Sequence, residues 1–114
     1  MLKGFRMDDT SPLSEAALDV LTSLAQGPLH GYAMIGAIRG FRGGRTMQPG
    51  LLYTTLAKLI DAGWVEEIEP PPSNKDPRRR FYQLAAAGRS ALRAEGLRRV
   101  EQGQRVGQLL GAGT

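Results

Sequence analysis

Apolar residues recur at helical spacing in four stretches of this chain and change to strand-like patterning in a fifth. In the first stretch, Ala17, Leu18, Leu21, Leu24 and Ala25 fall on one helical face. Ser14 precedes them as an expected N-cap, Glu15 supplies an acidic first turn, and Gly27-Pro28 ends the run. A second helix is predicted from about His30 to Ile38, with Tyr32, Ile35 and Ile38 spaced three apart. Gly36 weakens it by about 1 kcal/mol relative to alanine, so this helix must lean on packing. The third is bracketed by Pro49 and Gly63. Leu52, Leu56, Leu59 and Ile60 form its apolar face. At about 100° per residue, Leu51, Thr54, Ala57, Lys58 and Asp61 turn the other way, with Tyr53 and Thr55 on the flanks. Such a face suits DNA reading, and it equally suits an ordinary half-buried surface helix.

After Gly63 the period shortens. Trp64 to Glu69 is rich in residues that strands favour, Pro70-Pro71-Pro72 stops the ladder, and Ser73 to Pro77 is turn chemistry. Phe81 to Leu84 is the second strand candidate, so a β-hairpin with a stiff tip is expected. A last helix is predicted from Ala85 or Ala86 to about Leu110. Leu92, Gly96, Val100, Gly103, Val106, Gly107 and Leu110 share one side of it. Small residues on that stripe permit close approach of another element, and the segment after Gly103 is one that chain ends often leave frayed. Trp64 is expected in the core, and Tyr82 is expected to pack against the third helix.

A length of 114 residues suits one domain with a modest core. The absence of cysteine excludes disulfides, thiolate zinc sites and thiol nucleophiles, and it fits a reducing, cytoplasmic setting. No run of about 18 apolar residues is present, so no membrane span is expected. Residues 1–12 read as a loose tail without a signal-peptide core. A net charge of +4 and a pI of about 10 favour a polyanionic partner. Enzymatic chemistry finds little to use. His30 is the single histidine and reads as a cap or packing residue. Glu66, Glu67 and Glu69 divide between strand faces, and Gly40 to Gly44 lacks the lysine and hydroxyl of a phosphate loop. No catalytic role and no cofactor are expected. Arg39 to Arg45, with its three arginines and three glycines, reads as a flexible basic connection between helices, or as a single RGG-like segment for RNA.

The sharper signal is the hairpin tip. Lys75, Arg78, Arg79 and Arg80 against Asp76 leave a net +3. A basic hairpin after a helix–turn–helix pair describes a winged helix, in which one helix enters the major groove and the wing meets phosphates or the minor groove. The residues also resemble a family. Gly27-Pro28-Leu29-His30-Gly31-Tyr32, then Gly50-Leu51-Leu52-Tyr53 with Leu56, Leu59 and Gly63, then Arg79 to Leu84 with Gly88, are similar to three blocks of the PadR-type transcriptional regulators, in the same order. The resemblance covers roughly residues 13–92.

The class expected is therefore mainly α with a small β-hairpin: a winged helix-turn-helix over residues 13–84 and a C-terminal dimerisation helix over 85–114. The resemblance implies a homodimeric repressor on a double-stranded, two-fold related DNA operator, with a small-molecule effector as a partner that some members use. Base-edge contacts are expected from Thr54, Lys58 and Gln48. Phosphate contacts are expected from Tyr53, Thr55, Lys75, Arg78, Arg79 and Arg80. The dimer interface is expected at Leu18 of the first helix and at Leu92, Gly96, Val100, Gly103 and Leu110 of the last. Three positions depart from the family pattern. Leu51 replaces a hydroxyl, Ala85 replaces a capping threonine at a cost of about 1 kcal/mol, and the last helix is short and glycine-rich. The alternative reading is a winged-helix adaptor for another protein.

Overall fold

The computed structural model describes residues 13–111. Its elements run α1 (Glu15–Ser23), β1 (Leu29–His30), α2 (Gly31–Phe41), α3 (Pro49–Asp61), β2 (Val65–Ile68), β3 (Phe81–Leu84) and α4 (Ala86–Leu109). Residues 1–12, read as a tail from sequence, lie outside the described residues. The mainly α winged-helix class is as expected, with one strand more than a hairpin. The sheet is antiparallel in the order β1-β3-β2. Leu29 pairs with Tyr82 and His30 with Phe81 on one side of β3, while Val65 to Ile68 pair with Leu84 to Phe81 on the other.

Local chemistry sets most of the helix ends. Ser14 Oγ accepts the Ala17 N–H at 3.1 Å, and His30 Nδ1 accepts the Ala33 N–H at 3.2 Å, so both residues are N-caps. Pro49 sits in the first turn of α3, where its missing N–H costs nothing. At the other end Gly63 has φ +81°, its N–H reaches Ile60 O, and the Trp64 N–H reaches Leu59 O at 3.0 Å. That is a complete Schellman motif, and it requires the left-handed conformation that glycine tolerates. The α4 cap, Ala85, makes no side-chain cap bond, as its identity dictates. Its backbone N–H donates to Trp64 O at 2.9 Å.

The core gathers around α1 and its C-cap: Ala17, Val20, Leu21 and the capping Leu24 are fully buried. Met34 and Ile38 of α2, Leu52, Leu56 and Leu59 of α3, and Trp64, Val65, Tyr82 and Leu84 of the sheet region complete it. Trp64 is buried in the core, as expected, and Tyr82 is buried as well. Two α3 residues depart from the expected pattern. Thr55 is buried and Ile60 is 40% exposed. Both lie within about 60–80° of Leu52 around the helix, so the stripe alone does not tell them apart. Leu51, one turn before Thr55 on the same flank, shares a cavity wall with Ala16 and Asp19, so α1 covers the threonine side.

The segment expected as a loose basic loop is partly helix. Arg39 to Phe41 belong to α2, and Arg42 reaches back to α1. Its Nε lies 3.0 and 3.1 Å from the two carboxylate oxygens of Asp19, and its Nη2 pairs with Asp19 and Glu15. Its first turns hold α4 to the body through Gly88, Ala87, Ala91 and Leu92, and through Glu95, which is 2% exposed. The helix continues through Gly96, Gly103 and Gly107 to Leu109, and beyond Glu95 nearly all of its surface is open.

Candidate nucleic-acid interface

One side of α3 is presented to solvent by its own amphipathic pattern. Leu51, Tyr53, Thr54, Ala57, Lys58 and Asp61 are exposed. Gln48 stands at the N-cap, exposed, with its carbonyl accepting the Leu52 N–H at 3.0 Å and its side-chain amide unused in capping. Of the α3 residues expected to contact DNA, Thr55 alone is withdrawn from this surface, because it faces the interior. Tyr53 is half exposed, and the rest of its ring lies against the start of α2. A Cβ on Gly31 would stand 2.2 Å from Tyr53 Oη and 2.9 Å from Cζ. Gly31 is therefore what lets the tyrosine lie down beside α2. Sequence reasoning placed Gly31 in a motif without giving it this partner, which is 22 positions along the chain.

The wing extends from β2 and β3, and its tip is built of two turns. Asn74 N–H donates to Pro71 O at 2.9 Å, and Arg79 N–H donates to Asp76 O at 3.1 Å. Asn74 Nδ2 also donates to Asp76 O at 2.8 Å. Asp76 accepts from the Arg78 N–H at 3.0 Å and from Arg78 Nε at 3.3 Å. Those bonds, the backbone one foremost, hold the Asp76 carboxyl below its ordinary pKa. The four wing cations are thus unequal. Arg78 is tied to Asp76, and Arg80 lies 3.6 Å from Glu67. Lys75 and Arg79 are exposed and make no ion pair among the described residues.

His30 joins the two halves of this surface. It caps α2, pairs with Phe81 in the sheet, and meets the Phe81 ring edge-on at a centroid distance of 5.3 Å. Burial, and then the charge of Arg79, lower its pKa from the ordinary imidazole value. The histidine thus serves as a structural acceptor at the head of α2, in keeping with the cap or packing role read from sequence.

The residues expected at a dimer interface are divided. Leu18 on α1 and Leu92 on α4 are partly buried within the chain. Gly96, Val100, Gly103 and Leu110 lie on the open half of α4, where Leu97, Val106 and Leu109 are also exposed. At the root of that half, Glu95 accepts hydrogen bonds from Arg98 and from Arg99 Nε at 2.9 Å. Burial raises its pKa, and the bonds from Arg98 and Arg99 with their charges more than offset this, so the carboxyl stays below its usual range. Among the described residues no helix is long and apolar enough to cross a membrane, and no three acidic or histidine side chains gather as a metal ion would need.

The chain resembles known proteins over most of its length. It is 40% identical over 82 residues to an uncharacterized 37.1 kDa protein in transposon TN4556 of Streptomyces fradiae, a match that takes in 72% of this chain and 22% of that protein. The chain thus spans about a fifth of the length of that relative. The crystal structure of a PadR family transcription regulator from Clostridium difficile R20291 superposes with a TM-score of 0.71 at 16% identity, covering 86% of this chain and all of that one. Bacillus subtilis PadR in complex with operator DNA superposes with a TM-score of 0.58 at 23% identity, covering 68% of this chain and 44% of that one. The model of the transcriptional regulator PadR-like family matches residues 20–94, from α1 through the first turns of α4. This chain belongs to the PadR-like family of transcriptional regulators.

Proposed function

We propose that this chain is a transcriptional repressor that binds a two-fold related DNA operator as a homodimer. In this reading α3 enters the major groove with Gln48, Thr54 and Lys58 at base edges, while Tyr53 and the wing meet phosphates. The observation that carries it is the set of unspent cations beside an exposed α3 face. Lys58, Lys75 and Arg79 are all exposed, and none is paired with a carboxylate among the described residues. Two-fold symmetry would come from the open half of α4, whose Leu97, Val100, Val106, Leu109 and Leu110 are exposed. Repression then needs no chemical step, because occupancy of the operator suffices. Release by a small-molecule effector is part of the reading.

The test is binding to the protein's own promoter fragment, followed by fluorescence anisotropy across a range of salt. Affinity should fall as salt rises, by about 0.9 in the log–log slope for each phosphate neutralised. Arg79→Ala should weaken binding to all duplexes similarly and flatten the slope by up to about 1. Absence of binding at low salt would overturn the DNA reading and leave the adaptor reading in its place.

A further inference from the structure

The connection from α2 to α3 borders a cavity of about 470 Å³ that includes no residue of the wing or of α4. Its floor is apolar and already buried: Ile38 is 2% exposed and Met47 7%. Ala16 and Leu51 form apolar walls. The volume lies within the range of about 300–1,000 Å³ usual for small-molecule sites. Another wall is the Arg42–Asp19–Glu15 cluster, whose hydrogen bonds are spent internally. Its two carboxylates face Arg42, and Glu15 is also approached at 3.8 Å by Arg99, which Glu95 shares with Arg98, so the three carboxylates and three arginines of this network balance. Arg45 is left over. It lines the cavity, is exposed, and makes no ion pair among the described residues. Beside it stands Gln48, whose amide is not used to cap α3.

We propose that this cavity binds a monoanionic amphipath, with its apolar body over Ile38, Met47 and Leu51 and its carboxylate against Arg45 and Gln48. One uncompensated cation selects a single negative charge, and the apolar floor selects the body that carries it. Gln48 is the N-cap residue of α3, and Leu51 lies in its first turn. A ligand held there occupies the Gln48 amide and neutralises Arg45, so ligand and DNA oppose each other. This regulatory half rests on the DNA-binding reading; the binding half does not.

The experiment titrates the whole chain, labelled with ¹³C at the methionine, leucine and valine methyls and free of DNA, with decanoate. The Met47 methyl should shift saturably, while the core Met34 methyl stays in place. Arg45→Ala should weaken binding by about tenfold, the usual effect of losing one charged partner. Arg45→Lys should retain most of the affinity, and decanol should bind about as weakly as decanoate does to Arg45→Ala. A Met47 signal unmoved at millimolar decanoate overturns the proposal. So does equal binding of decanol and decanoate, or a response confined to leucine and valine methyls of α4. A second arm adds decanoate to the protein–promoter complex and expects a severalfold weaker DNA affinity. If the promoter is not bound even without decanoate, the DNA reading fails while the Met47 titration still decides the site.

Discussion

Gly31 and Gly88 are both buried, and they differ in what stands opposite. A Cβ on Gly31 meets the far end of the Tyr53 side chain, which can swing aside. A Cβ on Gly88 meets the Trp64 carbonyl at 2.0 Å for the oxygen and 2.8 Å for the carbon, and that backbone is fixed by the Schellman turn. Gly88→Ala should therefore destabilise the fold by about 1–3 kcal/mol or more, the usual cost of overpacking. Urea unfolding reads this directly, and a midpoint equal to that of the parent chain would show that α4 can lift away freely. His30 gives a pH dependence with a definite sign. Its pKa is lowered in the folded state, so the unfolded chain binds the proton more tightly. The stability it supplies is complete above about pH 6.5, the unfolded value, and is lost as pH falls below that toward the folded value. Protonation also removes the Nδ1 acceptor that caps Ala33 N–H. Denaturation at pH 7.5 and 5.5 should show this loss, and His30→Asn, which keeps a capping acceptor without titrating, should reduce it.

Segments bounded by their own chemistry are legible in the sequence alone. Helix α3 begins at a proline and ends at a glycine, and both signals act within one turn. Strand β3 falls where its aromatic residues place it. Strand β1 did not announce itself, because two residues carry no period and Leu29–His30 are extended only by pairing with β3, some fifty positions on. Arg42 shows the same limit for a site. Its glycine-rich surroundings read as a flexible loop, yet its carboxylate partners lie 23 and 27 residues earlier and draw it onto α1. In the wing, four arginines and lysines looked alike in sequence, and the cross-strand neighbour Glu67 sets Arg80 apart. Arg80→Ala should accordingly reduce DNA affinity and the salt slope less than Arg79→Ala does. Equal effects in the anisotropy titration would show that Arg80 leaves Glu67 to meet the phosphate.

Helix α4 is half foundation and half projection. Its 24 residues measure about 36 Å at 1.5 Å each, in a molecule whose longest extent is 54 Å. A truncation that tests dimerisation must spare the root. Cutting after Glu95 removes both arginines that pair with its carboxylate, so a loss of dimer could not be told from damage to the root of α4. Cutting after Arg99 removes Val100, Val106, Leu109 and Leu110 while leaving that carboxylate paired. The shortened chain should sediment as a monomer and melt close to the parent's folded protomer, and a persisting dimer would move the interface off the open half of α4.

Trp64 is where the two functions of such a molecule would meet. Its N–H closes the end of α3, and its carbonyl receives the first N–H of the α4 cap and the bare face of Gly88. A single residue is thus the fulcrum between a reading helix and a long arm. Were the arms clasped in a dimer, a tilt of 10° at that fulcrum would swing the start of α3, 13 residues or about 20 Å away, through about 3 Å, roughly one base-pair step. One turn of DNA separates the half-sites by about 34 Å, so a displacement of about 3 Å would put both heads out of step with their base pairs. The steric fit of one glycine against one carbonyl would then govern the geometric tolerance of the operator.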